Sequence, residues 1–462
     1  MNNGISFTDL FDRLQAEYEE AWLGDIFVKP ASFDSLIGMR SLAIFGEEGH
    51  GKSALQLRTM QLAQEAGRLI VEWTPQLRPE LTGSPATLEY IRQLIAEWAK
   101  ALFLYIGTYP NRFSALPEWA SELLIWIIRE RIPGRWDYHL SRLKWGGHEE
   151  GHRLLQQWGK KELDPGLSPD ISDSQLIDEL LLVSQMLAIS GTWLIVDGTK
   201  SWLDLQKDDL LAMFRDFTMA LDNFEKPGLA WRFILPKSFD LPLSRSSAIQ
   251  RRRVSRYHIN WQPSELRRIV ERRVEVALGL TEFSLHSIVD SDANEMLRYL
   301  EKYGGRSPRS WLALTRPFVV AFVRGGGQDA ISIQQWEGLR RKFAPPLRID
   351  PVAREVYVGE SIIEGLSPSL YRTLLYLYEL PDHQCTRSEL YWHAYRQSEQ
   401  SFDSPHVDIE KWEDPRDWGA ALDTVVWRLR KAIEWDSGNP LYIHTSRGEQ
   451  RGLGDVWLEN TQ

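Results

Sequence analysis

Apolar residues along this chain follow two periods, and the alternation between them lays out the molecule. Residues 41–45, 68–74, 191–197 and 230–236 are short, nearly continuous apolar runs, the pattern of strands buried on both faces of a parallel sheet. Residues 54–66, 88–106, 117–131, 137–158, 174–189 and 205–223 instead place apolar side chains three and four apart, which predicts amphipathic helices. Breaks such as Tyr109-Pro110-Asn111 and Ile132-Pro133-Gly134 separate these helices. A short amphipathic helix is predicted at 6–22, with Phe7, Leu10, Phe11, Leu14 and Tyr18 on one stripe. A strand-like stretch at 257–261 precedes a helix at 265–278 and a further helical region, and Gly325-Gly326-Gly327 reads as a hinge. From about residue 345 the pattern becomes that of a small α+β domain. It has hairpins at 347–358 and, around Arg447-Gly448, at 441–453, with helices at 369–380, 387–395 and 419–435.

The first run leads into Gly46-Glu47-Glu48-Gly49-His50-Gly51-Lys52-Ser53, which spells G-x-x-x-x-G-K-[ST]. Glycines at these spacings let successive backbone N–H groups turn inward and form a concave anion site at a helix N-terminus. Residues 46–53 are therefore the candidate phosphate cradle. Lys52 is placed to reach the β- and γ-phosphates of ATP, and the Ser53 hydroxyl to ligate Mg²⁺. The run at 191–197 ends in Asp197, a carboxylate at a strand's C-terminal end that suits the water shell of the same Mg²⁺. Lys237 and Ser238, after the next strand, could contact the γ-phosphate or attacking water, or form a plain surface loop. The whole divides into an N-terminal helix (1–30), a P-loop domain (31–262) with a helical insertion at about 76–190, a helical lid (263–335) and the C-terminal domain (345–462). The insertion reads equally as a separate subdomain or as a helical layer on the sheet.

Composition adds four points to this picture. With 462 residues, 43% hydrophobic and 26% charged, the chain has ordinary globular proportions, and no apolar run approaches a membrane span. A net charge of −10 argues against a surface that coats nucleic acid broadly, though not against a local basic face such as the one at Arg251–Arg256. The single cysteine, Cys385, excludes an intrachain disulfide; with no signal-peptide pattern at the N-terminus, this leads to a cytoplasmic expectation. Twenty tryptophans scattered along the chain suggest core and interface packing.

Residues 46–53, Asp197-Gly198 and the turn Gly305-Arg306-Ser307-Pro308-Arg309 together resemble the STAND and AAA+ branches of P-loop ATPases. The resemblance implies an ASCE-type α/β fold with a helical lid, and a sensor-2 role for Arg309 at the γ-phosphate. It also implies slow hydrolysis, because AAA+ enzymes usually carry Glu where Gly198 stands. The C-terminal domain is similar to the OmpR/PhoB-type winged helix, on residues 366–377, 423–433 and 438–448. That similarity implies duplex DNA contacts from Arg428, Arg430 and Lys431 in the recognition helix, whose Trp427, Leu429 and Ile433 would face the domain core, and from Arg447 in the wing. Residues 345–462, however, hold 12 Lys+Arg against 20 Asp+Glu. A protein-docking role for the domain therefore stays open.

The sequence thus leads to an ATP- and Mg²⁺-dependent regulatory switch in transcription control or bacterial defence. Lys52, Asp197 and Arg309 would act on the nucleotide, and the output would be double-stranded DNA or a partner effector protein. A nucleotide-dependent oligomer is compatible with this reading, and a membrane partner is not expected. Two alternatives remain: a DNA-metabolism ATPase of the origin-recognition or transposition type, and a non-hydrolysing ATP-bound scaffold.

Overall fold

In the computed structural model the four apolar runs and the stretch near 257 become one parallel sheet. Its strands are β1 (Leu42–Gly46), β2 (Leu69–Trp73), β3 (Thr192–Val196), β4 (Leu229–Pro236) and β5 (Ser255–His258), in the order β2-β3-β4-β1-β5. The structure describes residues 11–461 other than 12–15, 77–79, 133–135, 147, 161–171, 198–206, 223–224, 245–253, 291–294, 397–417 and 447–453. Contacts group the chain into two units, residues 15–24 with 29–260, and residues 1–14, 25–28 and 261–462.

Every residue of β1 and β3 is buried, because both faces of the sheet are covered. Trp193 and Ile195 point to one face, where Met60 and Ala63 of helix α1 (Lys52–Glu65) close over them. Leu194 and Val196 point to the other, into a core shared with α2 (Ser84–Thr108), α3 (Glu118–Arg131), α4 (Trp136–Trp145), α5 (Glu149–Gly159), α6 (Asp173–Met186) and α7 (Lys207–Asp222). The Trp73, Tyr90 and Phe217 rings meet there, at centroid separations of 5.5–6.2 Å. The helices between β2 and β3 therefore form a layer continuous with the sheet core. The single helix expected at 137–158 is two, α4 and α5, which separate at Gly146; glycine is a poor helix interior residue. One buried cation organises the approach to β1. Arg232 of β4 donates to the carbonyls of Leu36, Gly38 and Arg40 and lies 4.1 Å from the Trp193 ring.

The second unit holds α8 (Pro263–Leu278), α9 (Glu295–Gly304), α10 (Pro308–Arg324) and α11 (Ile333–Lys342). Gly326 and Gly327, at φ +101° and +71°, turn the chain out of α10 towards α11. A three-stranded antiparallel sheet follows, of β6 (Leu347–Asp350), β7 (Glu355–Val358) and β8 (Ser361–Ile362). Then come α12 (Pro368–Glu379), β9 (Gln384–Thr386), a helical segment through Arg396, α13 (Trp418–Ile433), β10 (Ile443–Thr445) and β11 (Asp455–Leu458). The last hairpin pairs β10 with 455–458, further along than the expected 451–453, and β11 also pairs with β9. The result is a winged-helix arrangement.

Helices α9 and α11 share a core with the elements that follow. The Tyr303 hydroxyl accepts from the Trp435 N–H at 2.7 Å, and the Tyr303 carbonyl accepts from the Ser361 hydroxyl at 2.7 Å. Tyr442 donates to the Pro345 carbonyl at 2.6 Å, and Arg340 lies over the Trp435 ring at 4.7 Å. Among the described residues, no helix is long and apolar enough to cross a membrane.

Candidate functional site

The sheet's parallel order carries β1, β3 and β4 to a common C-terminal edge, the edge where open α/β sheets bind ligands. Gly49 (φ +76°) and Gly51 (φ +80°) are left-handed, a conformation that costs glycine no side-chain clash, and between them they turn residues 47–51 over the end of β1. Gly51 caps α1 without a side-chain hydrogen bond, and no acidic residue stands in the first turn. The first N–H groups of a 14-residue helix thus face the loop with no side chain of the cap upon them. Space is tight at Gly46, where an added Cβ would lie 3.2 Å from Lys52 Cγ and 3.3 Å from Ile259 Cδ1.

Lys52 Nζ donates to the carbonyls of Gly46 (2.9 Å) and Glu47 (2.7 Å), so the cation is folded back over the loop. Beside it, Lys237 Nζ lies 2.9 Å from Glu47 Oε1, and this hydrogen bond holds the Glu47 carboxyl below its ordinary range. His50 Nε2 is 3.8 Å from Glu47 Oε2, and burial pushes the imidazole pKa down. Glu48 is exposed on the same turn, and Ser53 is exposed in the first turn of α1.

Asp197 is exposed at the end of β3, and its N–H donates to the Trp73 carbonyl at 3.1 Å. Register sets Glu72 opposite Ile195, so Glu72 and Asp197 project to the same face of the sheet, the α1 face. Although part of Glu72 reaches solvent, burial of its carboxyl pushes the pKa up, with Asp197 and Glu20 adding to the shift. Ser53 and Asp197 are hard oxygen donors of the kind Mg²⁺ takes. Among the described residues, no group of three or more His, Cys, Asp or Glu could hold a metal alone. Gly198 and Arg251–Arg253 lie outside the described residues; Arg256 is 3.4 Å from Asp240.

Arg309 belongs to the other unit, where it is the second residue of α10 behind Pro308 and the Ser307 cap. In the winged helix, Leu422, Val425, Val426, Leu429 and Ile433 of α13 face the core. The opposite face exposes Asp423, Thr424, Trp427, Arg428 and Lys431, with Lys431 Nζ 5.0 Å from the Trp427 ring. Trp427 was expected in the core and is 53% exposed, because it sits two residues, about 200°, from both Val425 and Leu429. Arg430 turns inward: Nε donates to the Ile443 carbonyl at 2.8 Å, and the guanidinium reaches Thr445 Oγ1 at 3.1 Å. It ties α13 to β10. Arg447 and the acidic stretch 397–417 lie outside the described residues.

Sequence reasoning missed Glu72, whose relation to Asp197 depends on strand register, and the pairing of Glu47 with Lys237. The signal for the latter is the Gly46–Pro236 register, invisible before the sheet order is known.

Comparison with protein-family models and with curated proteins finds no match. Among solved structures the chain is similar to the Orc1 protein of Aeropyrum pernix in complex with DNA. The two are 13% identical, the match covers 99% of this chain and 94% of that one, and the TM-score is 0.33. A likeness that loose carries no argument.

Proposed function

We propose that the protein is a P-loop ATPase of AAA+ type that associates with duplex DNA through its C-terminal winged helix. One observation carries the nucleotide half: a left-handed glycine loop leading into an α1 N-terminus with no side-chain cap, at the C-terminal edge of a parallel sheet. A triphosphate in that loop would take Lys52 from the Gly46 and Glu47 carbonyls, since phosphate oxygens accept the stronger, charge-assisted bond. Ser53 and Asp197 would hold Mg²⁺, which supplies charge neutralisation at the phosphates. Arg309 would report the nucleotide state to the lid.

The element order β6–β8, α12, β9, α13 and the β10–β11 hairpin supports an OmpR/PhoB-like winged helix. Within it, Arg428 and Lys431 are the exposed cations of α13, and Trp427 offers an apolar surface beside Lys431. Arg430 would act by fixing the angle between α13 and the wing. The test is ATP binding by wild type and Lys52→Ala, together with duplex binding measured with ATP, with ADP and with no nucleotide. The reading expects Lys52→Ala to lose ATP binding and the duplex affinity to depend on nucleotide. Unchanged ATP affinity in Lys52→Ala refutes the nucleotide half, and no duplex affinity at low salt in any state refutes the DNA half.

A further inference from the structure

The phosphate loop carries its own anion. Gly46 registers with Pro236, so Glu47 and Lys237 are the next residues along two neighbouring strands, one leading into the loop and one leaving the sheet beside it. Lys237 opens a single 3₁₀ turn, Lys237–Phe239, anchored by the buried Phe239 ring, which fixes where the lysine stem starts. Its ammonium meets Glu47 Oε1 at 2.9 Å, with both side chains more than half exposed at the mouth of the loop. The other cation of the loop, Lys52, is held by the carbonyls of Gly46 and of the same Glu47. Lys52 and Lys237 are thus both held by residues 46 and 47 in the structure as it stands.

Resting on the P-loop reading, we propose that Glu47 is an internal stand-in for the terminal phosphate. Its carboxylate holds Lys237 until the γ-phosphate of ATP takes the lysine over, and this exchange makes Lys237 the residue that separates ATP from ADP. The chemistry fits both states. A solvent-exposed carboxylate–ammonium pair is weak and easily exchanged, whereas a phosphate oxygen offers more charge to the same donor. The exchange would also leave Glu47 without its cation once ATP is bound. The carboxylate must then swing to water, away from the phosphates, which its exposure permits. ADP has no γ-phosphate, so it leaves the Glu47–Lys237 pair intact.

The experiment compares ATP and ADP affinities for wild type, Lys237→Met, Glu47→Gln and the double variant, all as full chains with Mg²⁺ present. Loss of one charge-assisted bond should weaken ATP about tenfold in Lys237→Met and leave ADP within about twofold. Glu47→Gln should tighten ATP about two- to fivefold, the scale of an exposed ion pair, and that gain should vanish when Lys237 is already Met. Equal weakening of ATP and ADP in Lys237→Met, no gain in Glu47→Gln, or a gain that survives in the double variant overturns the exchange while leaving the P-loop reading in place. If wild type binds neither nucleotide, or Lys52→Ala binds both as well as wild type does, the P-loop reading falls and the exchange with it.

Discussion

Glu434, just past α13, accepts three backbone hydrogen bonds, and its removal gives a sharp test of how the C-terminal domain is held. It is only 4% exposed. Oε2 accepts from the Leu441 N–H at 2.8 Å, and Oε1 from the Tyr442 and Ile443 N–H groups at 2.8 and 2.9 Å. One side chain thus satisfies three successive backbone donors where the chain enters β10. Burial pushes the Glu434 carboxyl pKa up against the opposing pull of those donors. Glu434→Ala leaves three buried N–H groups without acceptors, at about 1–3 kcal/mol each, and relieves the cost of burying one carboxyl. Taking the low end for each gives about 3 kcal/mol, or about a hundredfold in the opening equilibrium. Two readouts bear on the domain itself: amide exchange at Leu441, Tyr442 and Ile443, and labelling of Cys385. That cysteine lies in β9, which pairs with β11, which in turn pairs with β10. Both rates should rise about a hundredfold if labelling follows opening. A change below about threefold in both would refute the reasoning, because the three bonds would then contribute little.

Cys385 itself is buried, and its thiol is pushed up to about 12, by burial first and by Glu389 and Asp455 after it. The native chain should therefore resist a thiol reagent at neutral pH and take up one label per chain in urea, as counted by mass spectrometry. Gly304→Ala should destabilise by about 1–3 kcal/mol in chemical unfolding, since the new Cβ would lie 2.6 Å from Trp311 Cδ1. Trp427→Ser, on the exposed face of α13, should leave stability within about 0.5 kcal/mol by the same measurement. Lys431→Ala should weaken duplex binding uniformly across sequences and lower the salt slope by about one, whereas Arg428→Ala should relax preference at one base pair, both read in binding titrations.

What the sequence disclosed was mostly local. The loop at 46–53 is contiguous, so its glycines, lysine and serine could be recognised without knowing the sheet, and the buried strands around it announced themselves by composition. Partners distant in sequence could not be read in the same way. Arg430 has the residue type and helix position of a DNA contact, yet its partner is the Ile443 carbonyl, thirteen residues on and reachable only once β10 is placed. Glu72 and Asp197 share a face through a register that no spacing encodes. Other misses were avoidable. Trp427 is expected in the core with Leu429 and Ile433, yet two residues at about 100° each from Val425 and from Leu429 put it on the outer face. The α4–α5 break follows from Gly146.

Tyr303 has a consequence for how this protein can be taken apart. Its hydroxyl and carbonyl serve Trp435, just past α13, and Ser361, in β8, and its ring packs edge-on to Tyr442 at 5.9 Å. A chain cut between α11 and β6 would strip the lid of those partners and open an aromatic cluster of Tyr299, Tyr303 and Trp336 to water. Helices α9 and α10 and the C-terminal fold are thus expected to unfold as one cooperative unit. Whatever docks on α13 at a hundred times its dissociation constant would shield α9 and α10 from unfolding by about 2.7 kcal/mol. Protease resistance of the lid would then report occupancy of a surface that the protease never touches.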